Sequence, residues 1–325
     1  MMRTRSTLVL FLLAASSGWS APLRADDVPA NTNDRFTHAK NRKFQAFDSQ
    51  RERSWRHSFF FVQLADTQYG MYSGNQGFER EVALVQQAVA HINRLRPRFV
   101  IVCGDLTNAI PEKERYSPQV AQFQKDFSKV DAEIPLVCVC GNHDVGNRPT
   151  SASIDSYRRN FGDDYFSFWV GGVCNIVLNS SVLKDPADTP GVLADQQSWL
   201  RQQLKDASSA KAQHILLFQH HPFFLKTEDE PDQYFNIPLK RRTPLLAELK
   251  QAKVRAVFAG HYHRNSYGKA GELAMITTGP VGRPFGKDRS GIRVVQVHED
   301  NISHTYYGMD DVPAKIDLAL ERSTP

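Results

Sequence analysis

The side chains best equipped for chemistry in this 325-residue chain fall into five short motifs: Asp66-Thr67-Gln68, Gly104-Asp105, Gly141-Asn142-His143-Asp144, His220 and Gly260-His261-Tyr262-His263. Together they offer carboxylate, amide-oxygen and imidazole donors, a mixture that suits Mn, Fe, Zn or Mg better than a structural thiolate zinc site. Any one motif alone reads as a turn, because Asp and Asn favour turns and glycine supplies the conformations turns need. Their joint occurrence at the ends of successive apolar runs reads instead as one metal centre. Its candidate ligands are Asp66, Asp105, Asn142, His220, His261 and His263, with Gln68 beside them.

The elements that must position these residues are legible as five apolar runs. Phe59–Ala65 stops at Asp66, Phe99–Cys103 at Gly104-Asp105, Leu136–Cys140 at Gly141-Asn142, Ile215–Gln219 at His220, and Val254–Ala259 at Gly260-His261. Short, continuous apolar runs predict strands buried on both faces. Between them, residues 79–95 place Val82, Val85, Val89 and Ile92 on one helical stripe, and residues 118–131 and 194–207 have similar spacing. Strand alternating with helix predicts a parallel or mixed sheet covered by helices, with ligands bound beyond the carboxyl ends of the strands. Residues 165–178 predict a hairpin about Gly171-Gly172, and 273–277, 292–297 and 303–307 predict further strands.

The ordered set Asp-x-Gln, Gly-Asp, Gly-Asn-His-Asp, His, Gly-His-x-His resembles the calcineurin-like metallophosphoesterase superfamily over roughly residues 58–310. The resemblance implies an α/β fold, a four-layered αββα sandwich of two mixed sheets flanked by helices, with two divalent metal ions at the strand ends. It implies that Asp66 and His263 bind the first metal, that Asp105 bridges both, and that Asn142, His220 and His261 bind the second. A bridging carboxylate holds such cations roughly 3.5–4 Å apart, where they lower the pKa of a shared water and clamp phosphoryl oxygens. His143 is then the general acid or transition-state stabiliser at the leaving group, oriented by Asp144; the bland alternative is a histidine that only hydrogen-bonds its turn. His220 ends its strand and is assigned as the ligand, with His221 pointing elsewhere if the alternation continues.

One position departs from the superfamily pattern: Gln68 stands where histidine is usual. A glutamine amide is a neutral, weaker donor than imidazole, so it either ligates weakly or acts through a water, and it favours a harder ion such as Mn, Mg or Fe. The stretch Phe161–Val173, with Gly260–Asn265 and Asp66–Gly70, is similar to a serine/threonine-phosphatase-type branch whose first motif also carries Asp-x-Gln. That similarity implies a phosphomonoesterase acting on a phosphorylated small molecule or phosphoprotein. A phosphodiesterase on nucleotide or lipid head groups, or a poorly active metal-dependent binding protein, would use the same motifs. Asn108 and Arg264 are candidate substrate-binding groups, and the acidic loop Thr227–Asp232 is expected on the same rim. Tyr69 and Tyr72 either wall the pocket or pack, and Trp55, Trp169 and Trp199 are expected in the core.

Composition bounds the rest. Hydrophobic residues make up 41% of the chain and charged residues 23%, which suits a globular protein with a sizeable core. Residues 1–25 combine Arg3 and Arg5 with an apolar run from Leu8 to Ala15 and small residues after it, as a secretory signal peptide requires. Cleavage after Ser20, Ala21 or Ala25 and a secreted or periplasmic location are expected. Removing that segment takes three arginines and no acid, leaving 37 basic against 35 acidic residues. So small a net charge gives no reason to expect nucleic acid or an anionic membrane as partner, and no stable membrane insertion is expected. Residues 26–57 read as a polar leader packed loosely if at all, 58–310 as the catalytic domain and 311–325 as a C-terminal tail. Cys103, Cys138, Cys140 and Cys174 lie in strand-like runs and read as buried thiols. The sequence says nothing of oligomeric state.

Overall fold

Alternate residues of each apolar run serve different layers, which is why the runs are apolar throughout. The computed structural model describes residues 34–319; the expected signal peptide and residues 320–325 lie outside the described residues. In chain order the strands are β1 (Ala39–Lys40), β2 (Lys43–Phe44), β3 (Phe59–Leu64), β4 (Val100–Cys103), β5 (Leu136–Val139), β6 (Phe166–Val170), β7 (Val173–Val177), β8 (Ile215–Phe218), β9 (Ala256–Ala259), β10 (Ser266–Ala270), β11 (Leu273–Thr277), β12 (Gly291–Val297) and β13 (Ile302–Gly308). The helices are α1 (Ser49–Ser54), α2 (Glu79–Leu95), α3 (Tyr116–Phe127), α4 (Asn142–Val145), α5 (Ser151–Phe161), α6 (Ser180–Lys184), α7 (Pro190–Ser209) and α8 (Leu239–Gln251).

One sheet has the order β13-β12-β3-β4-β5 and the other β1-β2-β6-β7-β8-β9-β11-β10. Both are mixed: β3, β4 and β5 run parallel while β12 is antiparallel to β3, and β7, β8 and β9 run parallel while β6 is antiparallel to β7. Phe61, Ile101 and Val139 meet Leu216, Phe218 and Phe258 in a core between the sheets. Their neighbours Val62, Val100 and Val102 turn to the other face and pack against Val85, Val89 and Ile92 of α2 and Phe123 and Phe127 of α3. On the second sheet, Ile215, Leu217 and Val257 pack against Leu200 and Leu204 of α7 and Leu245 and Leu249 of α8. The result is the expected four-layered αββα sandwich. Burying each large side chain in these layers contributes on the order of 2–3 kcal/mol.

The hairpin is as expected: Gly171 and Gly172 have φ of 56° and 75°, the left-handed pair that a two-residue turn between strands of normal twist requires. All four cysteines are buried free thiols. Among the described residues, no helix is long and apolar enough to cross a membrane.

The expectation of a loosely packed leader needs correction for its described part, residues 34–57. Arg35 donates to the carbonyls of Val130, Asp131 and Ile134 at 2.6–3.0 Å, and β2 adds to the second sheet beside β6. Phe44 stacks on Phe166, and Glu52 is buried, accepting from Trp55 Nε1 and Gly171 N and ion-pairing with Arg98. The polar composition hides a few well-spaced apolar anchors, Phe36, Ala39 and Phe44, which are enough to seat the segment. Beyond residue 310, Ile316 and Leu318 also pack against the core.

Candidate metal centre

Asp66, Asp105 and Asn142 follow the carboxyl ends of the adjacent parallel strands β3, β4 and β5; His220 and His261 follow those of β8 and β9. Two sheets thus bring their parallel strand ends to one place. Five of the residues there, Asp66, Gln68, Asp105, His261 and His263, have φ between 40° and 67°. The left-handed region costs an L-residue on the order of 1–3 kcal/mol unless its surroundings over-determine it. Here they do. Asp66 N donates to the Gly104 carbonyl, Gln68 N to the Asp105 carbonyl, Gly282 N to the Asp66 carbonyl, and His261 N to the Asp66 carboxylate, all at 2.9–3.2 Å.

The approach also depends on missing side chains. A Cβ on Gly141 would overlap the Asp105 carboxylate, one on Gly104 would lie 2.5 Å from His220 Nδ1, and one on Gly260 would lie 2.7 Å from Asp66 Oδ2. These glycines, which the sequence offers only as turn formers, clear the space into which the functional groups fold.

Ligand-capable atoms of Asp105, His220 and His261 lie within 4.8 Å of one another, as do those of Asp66, Asp105 and His263. Asp105 belongs to both groups. His220 Nδ1 donates to the Cys103 carbonyl at 2.9 Å, which turns Nε2 toward Asn142 Oδ1 (3.1 Å) and Asp105 Oδ2 (3.2 Å). His263 Nδ1 donates to the Arg283 carbonyl at 2.6 Å, leaving Nε2 3.4 Å from Asp66 Oδ1. His261 uses Nε2 on the Tyr234 carbonyl at 3.3 Å, which leaves Nδ1 for the centre. A backbone acceptor on one ring nitrogen fixes the tautomer that presents a lone pair on the other.

All six of these side chains are buried, and their charges are strongly interdependent. Burial raises the Asp66 carboxyl despite nearby His263. Burial would also raise Asp105, but His220 and His143 hold it well below the usual carboxylate range. His220 is pushed up to about 9 because the Asp105 charge outweighs burial, and His261 is held well below the usual range by burial and by His220. The Oε1 of Gln68, in a side chain 2% exposed, has no hydrogen-bond partner. An orphaned acceptor, two carboxylates, an amide oxygen and three tautomer-fixed imidazoles around glycine-cleared space fit a pair of divalent cations.

His143 N donates to Asp105 Oδ1 at 2.9 Å, and its Nδ1 donates to the Asn108 carbonyl at 2.5 Å. Asp144 does not orient this imidazole, contrary to expectation. Its carboxylate is fully buried and accepts from the backbone N–H groups of Gly141, Leu106 and Thr107 at 2.7–3.3 Å. The physical reason is α4: residues 142–145 form a helical turn, on which consecutive side chains diverge. Burial and the neighbouring Asp105 push the Asp144 carboxyl up to about 7.

The remaining expected groups divide. Asn108 meets the site through its carbonyl, while its amide donates to Asn75 Oδ1 at 2.8 Å. Arg264 lies 5.1 Å over the Tyr262 ring and donates to its hydroxyl. His221 remains against the centre, its ring 4.2 Å from that of His261 and its Nδ1 3.0 Å from Ser180 Oγ. Tyr69 packs: it is buried and its hydroxyl donates to Asp126. Trp169 is in the core, whereas Trp55 and Trp199 are half-buried at its edge. In the acidic loop Glu230 accepts from the backbone N–H of Leu225 and Lys226, and Glu228 pairs with Lys250 of α8. Its continuation carries Tyr234, 56% exposed, with its ring 4.9 Å from that of His261. Nothing in the sequence singles out that tyrosine.

Behind the centre lies a second group that sequence reading missed. Gln63 Nε2 donates to the Ala259 carbonyl and its Oε1 accepts from Thr278 Oγ1; Thr278 Oγ1 accepts from Arg293 Nε. Arg293, 5% exposed, also donates to Asn265 Oδ1 and meets no carboxylate among the described residues. Only a strand residue of the wrong polarity, inside the apolar run Ile292–Val297, could have signalled it.

The family model for calcineurin-like phosphoesterase matches residues 61–265. A serine/threonine-protein phosphatase, CPPED1 of Mus musculus, is 42% identical over 290 residues, covering 86% of this chain and 93% of the relative. The protein of that name from Homo sapiens is 40% identical over 292 residues, with 86% and 93% covered. Among solved structures, a dimetal phosphatase from Danio rerio has a TM-score of 0.58 at 16% identity, covering 77% of this chain and 96% of that one.

Proposed function

Because the chain belongs to the calcineurin-like phosphoesterase family and is a metal-dependent phosphoester hydrolase, we propose that it cleaves phosphomonoesters, with phosphoserine or phosphothreonine in a protein as its substrate class. The observation that carries this reading is the setting of His143. Its Nδ1–H is held by the Asn108 carbonyl and its backbone N–H by the Asp105 carboxylate, which leaves Nε2 as the ring position that gives a proton to the leaving group when the imidazole is in its cationic form. A serine or threonine alkoxide is a poor leaving group, and such esters need that proton most. The relatives' name as serine/threonine-protein phosphatases supports the same substrate class.

In this reading Asp66, Gln68 and His263 hold one divalent cation, Asn142, His220 and His261 hold the other, and Asp105 serves both. Bound there, the pair supplies Lewis-acid stabilisation of charge on the phosphoryl oxygens. The amide of Gln68 favours Mn, Mg or Fe over Zn at its position. The carbonyls of Cys103 and Arg283 fix imidazole tautomers, and the buried setting keeps these bonds out of competition with water.

The test begins with elemental analysis of the purified chain, then activity after chelation and return of Mn, Mg, Fe or Zn. Two metals per chain and faster turnover of p-nitrophenyl phosphate than of the bis ester at saturating Mn are expected. A preference for the bis ester would make it a phosphodiesterase, and a chain holding only a trace of metal would sink the reading. Residues 1–25 support export, so the substrates are placed outside the cytosol; recovery of the protein in the cytosol with Met1 intact would contradict that.

A further inference from the structure

We propose that the face of the centre around His263 carries a second anion subsite, which selects phosphomonoesters bearing another negative group beside the phosphate to be cleaved. The inference rests on the phosphomonoesterase reading and narrows its substrates.

Three arginines stand on this face, Arg80, Arg264 and Arg283, with guanidinium carbons 3.9 Å, 5.1 Å and 5.9 Å from the centroid of an aromatic ring. Arg80 and Arg283 share the same ring, that of Tyr72, four residues beyond Gln68. Arg283 is fixed at its other end by the bond from His263 Nδ1 to its carbonyl. Arg264 follows His263 in sequence and lies over Tyr262, 6.0 Å from Phe285, whose own ring stacks on His263 at 4.5 Å. Tyr72, Tyr262 and Phe285 thus form a partly exposed collar on one side of the centre, with a guanidinium on each part of it.

None of the three arginines has a carboxylate partner among the described residues, whereas the exposed Arg96, Arg201 and Arg289 all do. The acid within the same loop, Asp288, accepts from the backbone and side-chain N–H groups of Asn265 instead. Arg264 Nε is buried with no acceptor among the described residues. Stacking occupies the face of a guanidinium and leaves its in-plane N–H donors open, the arrangement that binds a carboxylate or phosphate through two bonds. Around His261 stand Tyr234 and Phe235, with Glu230 bonded to the backbone N–H groups of Leu225 and Lys226 and Glu228 paired with Lys250. On the His263 side the Glu81 carboxylate accepts from Tyr72 N, and the three guanidinium groups without a carboxylate partner among the described residues leave that side with positive charge. A substrate whose second anion lies on its leaving group would be oriented by it. An acidic residue beside a phosphoserine and a second phosphate on a small molecule share that chemistry.

The test is equilibrium binding to the Mn-loaded full chain, followed by anisotropy. It uses labelled peptides with a non-hydrolysable phosphonate in place of phosphoserine, one with neighbouring glutamates and one with glutamines, and competition by glycerol bisphosphate against glycerol monophosphate. Partly exposed ion pairs are individually weak, so two of them give about a fivefold preference for the doubly anionic member. That preference should vanish in the double variant Arg80→Gln, Arg283→Gln, whose folding is checked by thermal melting. A preference in the peptide arm identifies acidic phosphopeptides, and one confined to the small-molecule arm identifies bisphosphates; either supports the subsite. Equal binding in both arms, or a preference that survives the double variant, overturns it. Failure of the phosphomonoesterase reading would show separately, as absent turnover of any phosphomonoester, which these binding measurements do not require.

Discussion

Gln68, like Asn142, offers a neutral amide oxygen, a weaker donor than imidazole, and its own is buried and without a partner among the described residues. Replacing it by an imidazole should raise affinity at the Asp66–His263 position: calorimetry on Gln68→His is expected to show binding at least as tight as wild type, and weaker binding would count against the assignment. Asp144 lends itself to an opposite kind of experiment. Its carboxylate holds three backbone N–H groups and not His143, so Asp144→Asn should lower the melting temperature by several degrees, a loss of roughly 1–3 kcal/mol, while the pH profile of kcat keeps its shape. A shifted acid limb would restore Asp144 to the role the sequence suggested. That role was misread because the motif Asn142-His143-Asp144 looks like a turn of three neighbours, whereas a helical turn sends adjacent side chains in different directions. The candidate ligands were readable because each ends a strand. Tyr234, on a long loop, and the carbonyls of Cys103, Asn108 and Arg283 were not, because backbone acceptors have no side-chain signature.

At the scale of elements, the centre is made by strand ends that turn sharply into the left-handed region and by glycines that let neighbouring ends approach. Gly260→Ala would set a methyl 2.7 Å from Asp66 Oδ2 and 2.8 Å from Ala65 Cβ, both held in the centre of the fold. The expected result is a folded but less stable protein that binds metal substoichiometrically; full metal content by elemental analysis would show that the strand ends can yield. The elements themselves were legible to the degree that their faces are one-sided or wholly apolar. The stripe over 79–95 matches α2 at both ends, and β11 matches residues 273–277. By contrast α8 contains Pro244 and two arginines in its first turns, and β10 is a short edge strand with Gly268 at its middle; neither presents a clear period, whereas α5 carries Ile154, Tyr157 and Phe161 at helical spacing among polar neighbours. The seating of residues 34–57 escaped notice for a related reason, since two-residue strands are below any period.

For the whole molecule, two histidines outside the centre, one buried and one partly buried, contribute stability that acid removes. Burial and the adjacent Arg293 guanidinium push the His304 imidazole down to about 3, and burial also lowers His214. Both are neutral in the folded and unfolded chain above pH 7. Below about 6.5 the unfolded chain takes up protons that the folded one refuses, so their contribution falls from there until His304 itself protonates near pH 3. Relative to the wild type, the urea midpoint of His304→Gln should rise as the pH goes from 7 to 4.5, against a background in which the raised Asp144 carboxyl has the opposite dependence; a constant difference would discharge His304 from the account.

The two sheets have a further consequence. Asp66, Asp105 and Asn142 belong to one sheet and His220 and His261 to the other, so any cation bound among them is a tie between layers. By mass action, a ligand that binds only the folded chain adds about 2.7 kcal/mol of stability at a hundred times its dissociation constant. The melting temperature should therefore climb with the logarithm of free Mn and fall under chelation, even in a variant with no turnover. The chain would then resist unfolding only as well as its surroundings keep it supplied with metal.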